Sequence, residues 1–591
     1  MSVVKNWLPI LVVALAFLMR VWALEWKPPH FDEGVNGAFV DELRRVPAYR
    51  YQPDNFHGPL HFYAMFTSSQ FFGRGVWALR LPTVLIGTAA VALVFAFRRY
   101  FSARVVLVAA VAMAISPGMI FYSRYAIHET WLPFFTLLAV LGAFGIAGGE
   151  RRVRDLWCVG AGLAGMVLTK ETYVLHFAAA FAAWWVGRWM FPAPPHDERT
   201  RPAALFGVED AAPAEVRAAF LRSDVVFVVG VCVAVVVALY SGLFLYWRGV
   251  AGIFETFVHM AKKGWTASED GHHKEFLYFV KLLGIYEWPA LAGFAITPVF
   301  ALRRSAWAGG VTLGCGVLLA IGSWFWAAGQ PVAVHTYHFI EPVLKTAGVP
   351  WTTAMSLGVC LAAIGACWLV AIPLECPRMR FLALYGLASV AAYSFVSYKT
   401  PWCVINLLWP FWFLLGHVFD RMTLRSDGRL VVVLGCILAM APLLDAHRIN
   451  LVDPTAPTEP YIYVQQTRDL ELLTIPVAKL LSRDPMRRNM TGYVICDSPQ
   501  PLPWALPELP NVTIQSHIGP ITFGDADFLL VHESRVEEVE SQLLDIYFRS
   551  RFRFYIPDDN HQLYLRAATF HDAVEPGRVA EFHRRIPLEP Q

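Results

Sequence analysis

Asp32 and Glu33 stand side by side in the run His30-Phe31-Asp32-Glu33-Gly34, directly after the first long apolar segment. Carboxylates at the edge of a bilayer are costly to keep there, and those that remain usually serve function. At the mouth of a span, an acid can meet a lipid-borne and a water-borne substrate together and take the proton of an attacking hydroxyl. Asp also suits the cap of the helix that follows, so the pair carries a structural reading beside the chemical one. More candidates recur where apolar segments end: His57 and His61, then Arg124, His128 and Glu129, then Lys170 and Glu171, then Tyr398 and Lys399. Together they suit sugar transfer from a lipid phosphate. A carboxylate serves as base, and cations stabilise the phosphate as it gains charge. Asp32 is the expected base, with Glu33 beside it. Arg124, Lys170 and Lys399 are expected to converge on the phosphate, although each also suits an anchor to lipid headgroups. His57 and His61 have a metal-ligand spacing, but Pro59 between them speaks against a regular helix. No metal site is expected, and a divalent ion is compatible with the chemistry without being indicated.

These residues need spans to carry them. The chain has 591 residues, 56% hydrophobic and 16% charged, with a mean hydropathy of +0.45. That excludes an ordinary soluble protein and implies a polytopic α-helical membrane protein. A net charge of +3 without a long basic run excludes a nucleic-acid partner. The nine cysteines are scattered without a paired motif, which excludes a disulfide framework or zinc site. Trp7 to Leu24 reads as an uncleaved first span interrupted by Arg20, which is expected to pair near Glu25. Segments long enough for a bilayer lie near 8–24, 78–97, 103–121, 131–147, 156–170, 174–191, 223–246, 282–301, 307–328, 349–372, 379–397, 402–418 and 429–446, about 13 transmembrane helices. Every second connection is rich in arginine, including Arg98, Arg151, Arg303 and Arg425, and those connections are expected to be cytoplasmic. The candidate residues then share the outer face. The first outer loop, 25–77, includes a helix-like stretch, Val35–Arg45, suited to lying at the interface.

Residues 447–591 change character and become polar and rich in proline. Leu470–Leu481 and Arg535–Tyr547 read as helices; Tyr493–Cys496, Val512–Ser516, Phe528–Val531 and Leu563–Leu565 read as strands. The alternation predicts a small extracytoplasmic α/β domain at 447–591 after a transmembrane domain at 1–446. Asp525-Ala526-Asp527 abuts an apolar strand and reads as a turn or strand edge.

His30-Phe31-Asp32-Glu33 followed by His57-Gly58-Pro59-Leu60 resembles the first outer loop of GT-C membrane glycosyltransferases, and Ser123-Arg124 resembles their second-loop motif. Thr169-Lys170-Glu171-Thr172, Tyr398-Lys399-Thr400-Pro401-Trp402 and Pro501-Leu502-Pro503-Trp504 resemble the prokaryotic "flippase activity-associated protein" family, a dolichyl-phosphate-mannose–protein mannosyltransferase-like group. His128-Glu129 departs from the Asp-containing sequence those mannosyltransferases usually carry there. The resemblance implies a GT-C fold and a polyprenyl-phosphate-linked sugar as donor. It implies inversion at the anomeric carbon and Asp32 as base. The acceptor would be a glycan, lipid or protein at the outer face of the plasma membrane. A second function class also fits the family: a non-catalytic flippase or accessory protein for lipid-linked sugars. Charges gathered at span ends, rather than at mid-span, favour the enzyme.

Overall fold

The computed structural model describes residues 2–54, 57–149, 152–190, 220–265, 273–297, 313–321, 376–423, 428–465, 467–555, 560–574 and 581–584, with isolated positions at 358, 362, 365 and 374. The expected span 349–372 apart from positions 358, 362 and 365, most of 307–328, and the loop positions Arg303 and Arg425 lie outside the described residues.

Among the described residues, nine α-helices form the first part of the chain: α1 (Ser2–Val21), α2 (Phe31–Leu43), α3 (Leu60–Phe72), α4 (Val76–Val94), α5 (Ala103–Ile115), α6 (Pro117–Ser123), α7 (Trp131–Ala147), α8 (Val153–Val167) and α9 (Tyr173–Met190). Among the described residues, four helices are long and apolar enough to cross a membrane, or six if each of two bent pairs is one span. The architecture is that of a polytopic helical membrane protein.

Two expected spans are broken. The segment 103–121 bends by 54° between α5 and α6. Ser116 caps α6 by accepting the Met119 N–H, and Pro117 opens it. A proline at the first helical position has no N–H to lose there. The segment 282–301 bends by 99° between Tyr278–Tyr286 and Trp288–Ile296, again with a proline, Pro289, opening the second piece. Buried Glu287 sits at that break and accepts from Ser116 Oγ and Gly118 N, each at 2.8 Å.

A six-stranded sheet forms the tail, in the order β2-β1-β3-β5-β4-β6. β1 (Thr491–Ile495), β2 (Asn511–Gln515) and β3 (Phe528–His532) run parallel. β4 (Ile546–Phe552), β5 (His561–Arg566) and β6 (Glu581–Arg584) complete it with antiparallel pairings. The helix expected over Arg535–Tyr547 is present only as Val536–Glu540; Tyr547 lies in β4. In Ile546–Phe552 both faces are covered, Tyr547 packing in one cluster of core residues and Phe552 in the other, so the strand shows no clean alternation to set it apart from the acidic helix before it. Asp525 accepts from Leu544 N, Asp545 N and the Tyr547 hydroxyl, and Asp527 from Thr491 N and Thr569, so the acidic triplet ties down the turn that leads into β3.

Candidate active site

α2 begins one residue before Asp32. His30 is its cap: Nδ1 accepts the Asp32 N–H at 3.1 Å, and Nε2 donates to the Tyr463 carbonyl at 2.7 Å. The cap is therefore a histidine rather than the expected Asp32-Glu33 pair. Glu33 occupies the reciprocal position of the capping box and accepts the His30 N–H at 2.8 Å. Its two oxygens also receive Arg80 at 2.7 and 2.6 Å and Ala126 N at 2.8 Å. Arg80 is fully buried and donates further to the carbonyls of Leu24, Lys27 and Pro28. The structure thus places Glu33 in an ion pair with Arg80, outside the lining of the cavity that Asp32 enters. Glu33 is a buried structural anion, while the neighbouring Asp32 side chain remains 40% exposed.

Asp32 lines a cavity of about 700 Å³. His57, Lys170, Glu171 and Tyr398 line the same cavity. An antiparallel bridge between His57 and Lys170 ties the first loop to the third, with Gly58 N donating to Thr169 O at 3.0 Å. His57 Nδ1 lies 3.3 Å from Glu171 Oε2. Lys170 Nζ lies 2.6 Å from Glu129 Oε1 and 3.8 Å from Glu171 Oε1. Burial alone would lower the Lys170 pKa, but Glu129 and then Glu171 outweigh it and raise it, so the ammonium is held charged. Burial likewise pushes Glu171 up, and Lys170 with His57 more than reverses this.

The expected trio of phosphate cations does not assemble. Arg124 is buried and donates to the carbonyls of Arg20, Trp22 and Ala23, closing the end of α1. Arg20 does not pair near Glu25; it reaches the carbonyls of Ala16, Met113 and Ala114. Lys399 donates to the Lys274 carbonyl at 3.2 Å, and burial lowers its pKa to about 8. Of the three, only Lys170 lines the cavity. His128 packs behind the site, its ring 4.5 Å from that of His57 and 4.4 Å from that of His61. Glu129 is also buried there. Among the described residues no group of three or more ligating side chains is arranged to hold a metal ion.

Sequence reasoning missed the other wall of the cavity. It is built by tail residues Tyr463, Gln465, Thr467, Ser498 and Tyr555. Trp402 faces them, with its ring 5.9 Å from that of Tyr463. Nothing local marks these residues, because they gain a role only when the tail folds onto the loops. The aromatic run 461–463 beside Trp402 is the one available signal.

Comparison with solved structures fixes the fold. ArnT from Cupriavidus metallidurans in the apo state superposes with a TM-score of 0.54 at 12% identity, covering 97% of this chain and 100% of that one. This chain shares the fold of that protein. The same protein bound to undecaprenyl phosphate gives a TM-score of 0.49 at 14% identity, covering 96% and 99% of the two chains. Residues 56–191 match the sequence profile of the dolichyl-phosphate-mannose-protein mannosyltransferases. That stretch is similar to the mannosyltransferases, and it contains His57, Glu129, Lys170 and Glu171. No curated protein matches the chain by sequence.

Proposed function

We propose that this chain transfers a sugar from a polyprenyl phosphate to an acceptor bound beneath the tail. The observation that carries this reading is the placement of Asp32, a half-exposed carboxylate in the same cavity as the charge-stabilised Lys170. Asp32 removes the proton of the acceptor hydroxyl as its oxygen attacks the anomeric carbon. The sugar–phosphate bond breaks on the opposite face, and the configuration inverts. Lys170, with two N–H groups beyond the one facing Glu129, stabilises the charge that grows on the phosphate.

The walls divide this work. All formal charge among the described lining residues is on the loop side. The tail side offers tyrosine rings, hydroxyls and an amide, a surface that favours a neutral, hydroxyl-rich acceptor such as a glycan. The mannosyltransferase profile covers the donor-side loops and supports a lipid-phosphate donor. In this reading the chain sits in the plasma membrane with residues 447–591 outside the cytoplasm.

The test is Asp32→Asn, which keeps size and loses basicity. Purified protein is given polyprenyl-phosphate mannose and oligosaccharide acceptors. Loss of a general base is expected to slow turnover about 10²–10⁴-fold while donor affinity persists. Turnover equal to wild type would remove Asp32 as base. A wild type that makes no product but translocates lipid-linked sugar in vesicles would replace the enzyme with a flippase.

A further inference from the structure

The face of α2 turned away from the membrane loops is made of Gly34, Gly37 and Asp41, spaced three and four residues apart so that they align on one side. The tail segment 500–506 lies directly on it. A Cβ added to Gly34 would come within 2.4 Å of the Pro501 Cα, and one added to Gly37 within 2.5 Å of the Trp504 indole. Trp504 is buried in this contact. Arg74 closes it from the side. Its Nε donates to Asp41 at 3.0 and 3.2 Å, Nη1 to the Leu506 carbonyl at 3.0 Å and Nη2 to the Trp504 carbonyl at 2.5 Å. One guanidinium therefore ties the end of α2 to two tail carbonyls.

Elsewhere on α2, Glu33 is bound by Arg80, and Asn36 Nδ2 donates to the Ala126 carbonyl at 2.8 Å. The helix is fixed between the loops and the tail. Asp32 lies in its first turn, two residues from Gly34, so any displacement of the helix displaces the carboxylate with it.

We propose that the 500–506 segment is a clamp that sets the position of Asp32, with Trp504 and Arg74 as positioning residues and Gly34 and Gly37 as the seats that let the tail approach. This rests on the role of Asp32 given above. Carbon atoms pack at about 3.5–4.0 Å, so a methyl group at Gly37 must push the tail and helix apart by about 1 Å. A misplacement of about 1 Å at a reacting group costs on the order of 10²-fold in rate. Lys170 and Glu171 sit on another loop, joined to the first at His57 rather than at α2, so the donor side is expected to keep its place.

The experiment uses the full-length protein in detergent or nanodiscs, with undecaprenyl phosphate as the binding probe. Gly37→Ala is expected to lower kcat about 10²-fold while leaving undecaprenyl phosphate affinity unchanged. Trp504→Leu in the Gly37→Ala background is expected to restore most of the lost rate, because it removes the clashing ring. Trp504→Ala alone should speed amide hydrogen exchange across residues 33–40. Wild-type turnover in Gly37→Ala, or a loss that Trp504→Leu fails to relieve, overturns the proposal. So does unchanged exchange in Trp504→Ala. Asp32→Asn is measured in parallel. If that variant turns over normally, Asp32 is not the base, whereas the exchange and the second-site rescue still report on the clamp. If wild type has no turnover at all, the transferase reading falls, and the clamp is decided by the exchange of α2.

Discussion

Adjacent carboxylates of the same sequence motif have opposite fates. Asp32 keeps its access to the cavity, while Glu33 is buried under Arg80 and two backbone donors. The sequence marks both as unusual, but nothing in it says which one meets an arginine from a helix 47 residues away. The same holds for Arg124, whose charge type suits phosphate but whose guanidinium is consumed by the open carbonyls ending α1. Unsatisfied backbone groups compete for cations, and that competition is decided by tertiary structure. Glu33→Gln is therefore expected to act on stability. Breaking a buried ion pair by removing one charge costs about 3–5 kcal/mol. The measurement is thermal melting of purified protein, with a lowered Tm and poor yield expected. A folded variant defective only in kcat would return Glu33 to the chemistry. Lys170→Gln also leaves a buried carboxylate, Glu129, without its partner, so its Tm is expected to fall as well. Under the proposed transfer it further removes a charge-assisted contact to the donor phosphate worth about 1.5–3 kcal/mol, read as weaker undecaprenyl phosphate binding by the folded protein.

At the scale of elements, the apolar runs, the first-loop helix and four strands of the tail are legible from periodicity. Breaks and bridges are less so. Pro117 and Pro289 are visible in the sequence, but a proline in an apolar run signals either a kink or a helix start, and only the bend angles distinguish them. The pairing of His57 with Lys170 and of His273 with Tyr398 joins loops more than a hundred residues apart, and no local pattern encodes it. One consequence of the first bridge is measurable. It seats α3 so that His61 is fully buried, and burial lowers the His61 pKa from 6.5 to about 4. His128, packed on it, is also pushed down by burial. Between those values the unfolded chain binds a proton that the folded chain refuses, so stability rises with pH and falls on acidification. The shift corresponds to on the order of 3 kcal/mol, lost as pH drops from 6.5 toward 4. His61→Phe should flatten the dependence of Tm on pH in that window. An unchanged slope would assign the acid sensitivity elsewhere.

Over the whole molecule, charge sorts the chain into two ends. Arg99 pairs with Asp155 at 2.8 Å, and Arg104 with Asp420 at 3.3 Å, so the arginine-rich connections gather at one end of the bundle. His57, Glu129, Lys170 and Tyr398 gather at the other, under the tail. Alternation of arginine along the sequence anticipates this division because each span reverses the chain's direction. The tail's wall of the cavity is not legible, since the stretch 455–465 that lines it is irregular; of the tail segments that touch the loops, only Pro501–Trp504 stands out in the sequence. Placement of the two ends relative to the membrane follows from the positive-inside bias. It predicts that a cysteine at Asp484, an exposed tail position, reacts with an impermeant maleimide in intact cells. A cysteine at Arg152, at the start of α8, should react only after permeabilisation. The reverse pattern would put the arginine end outside and the cavity in the cytoplasm. Under the proposed transfer, Asp32 would then have to meet its donor on the cytoplasmic face. Equal labelling of both sites in intact cells would mean a bundle without a fixed orientation, and the division of charge between its ends would lose its topological meaning.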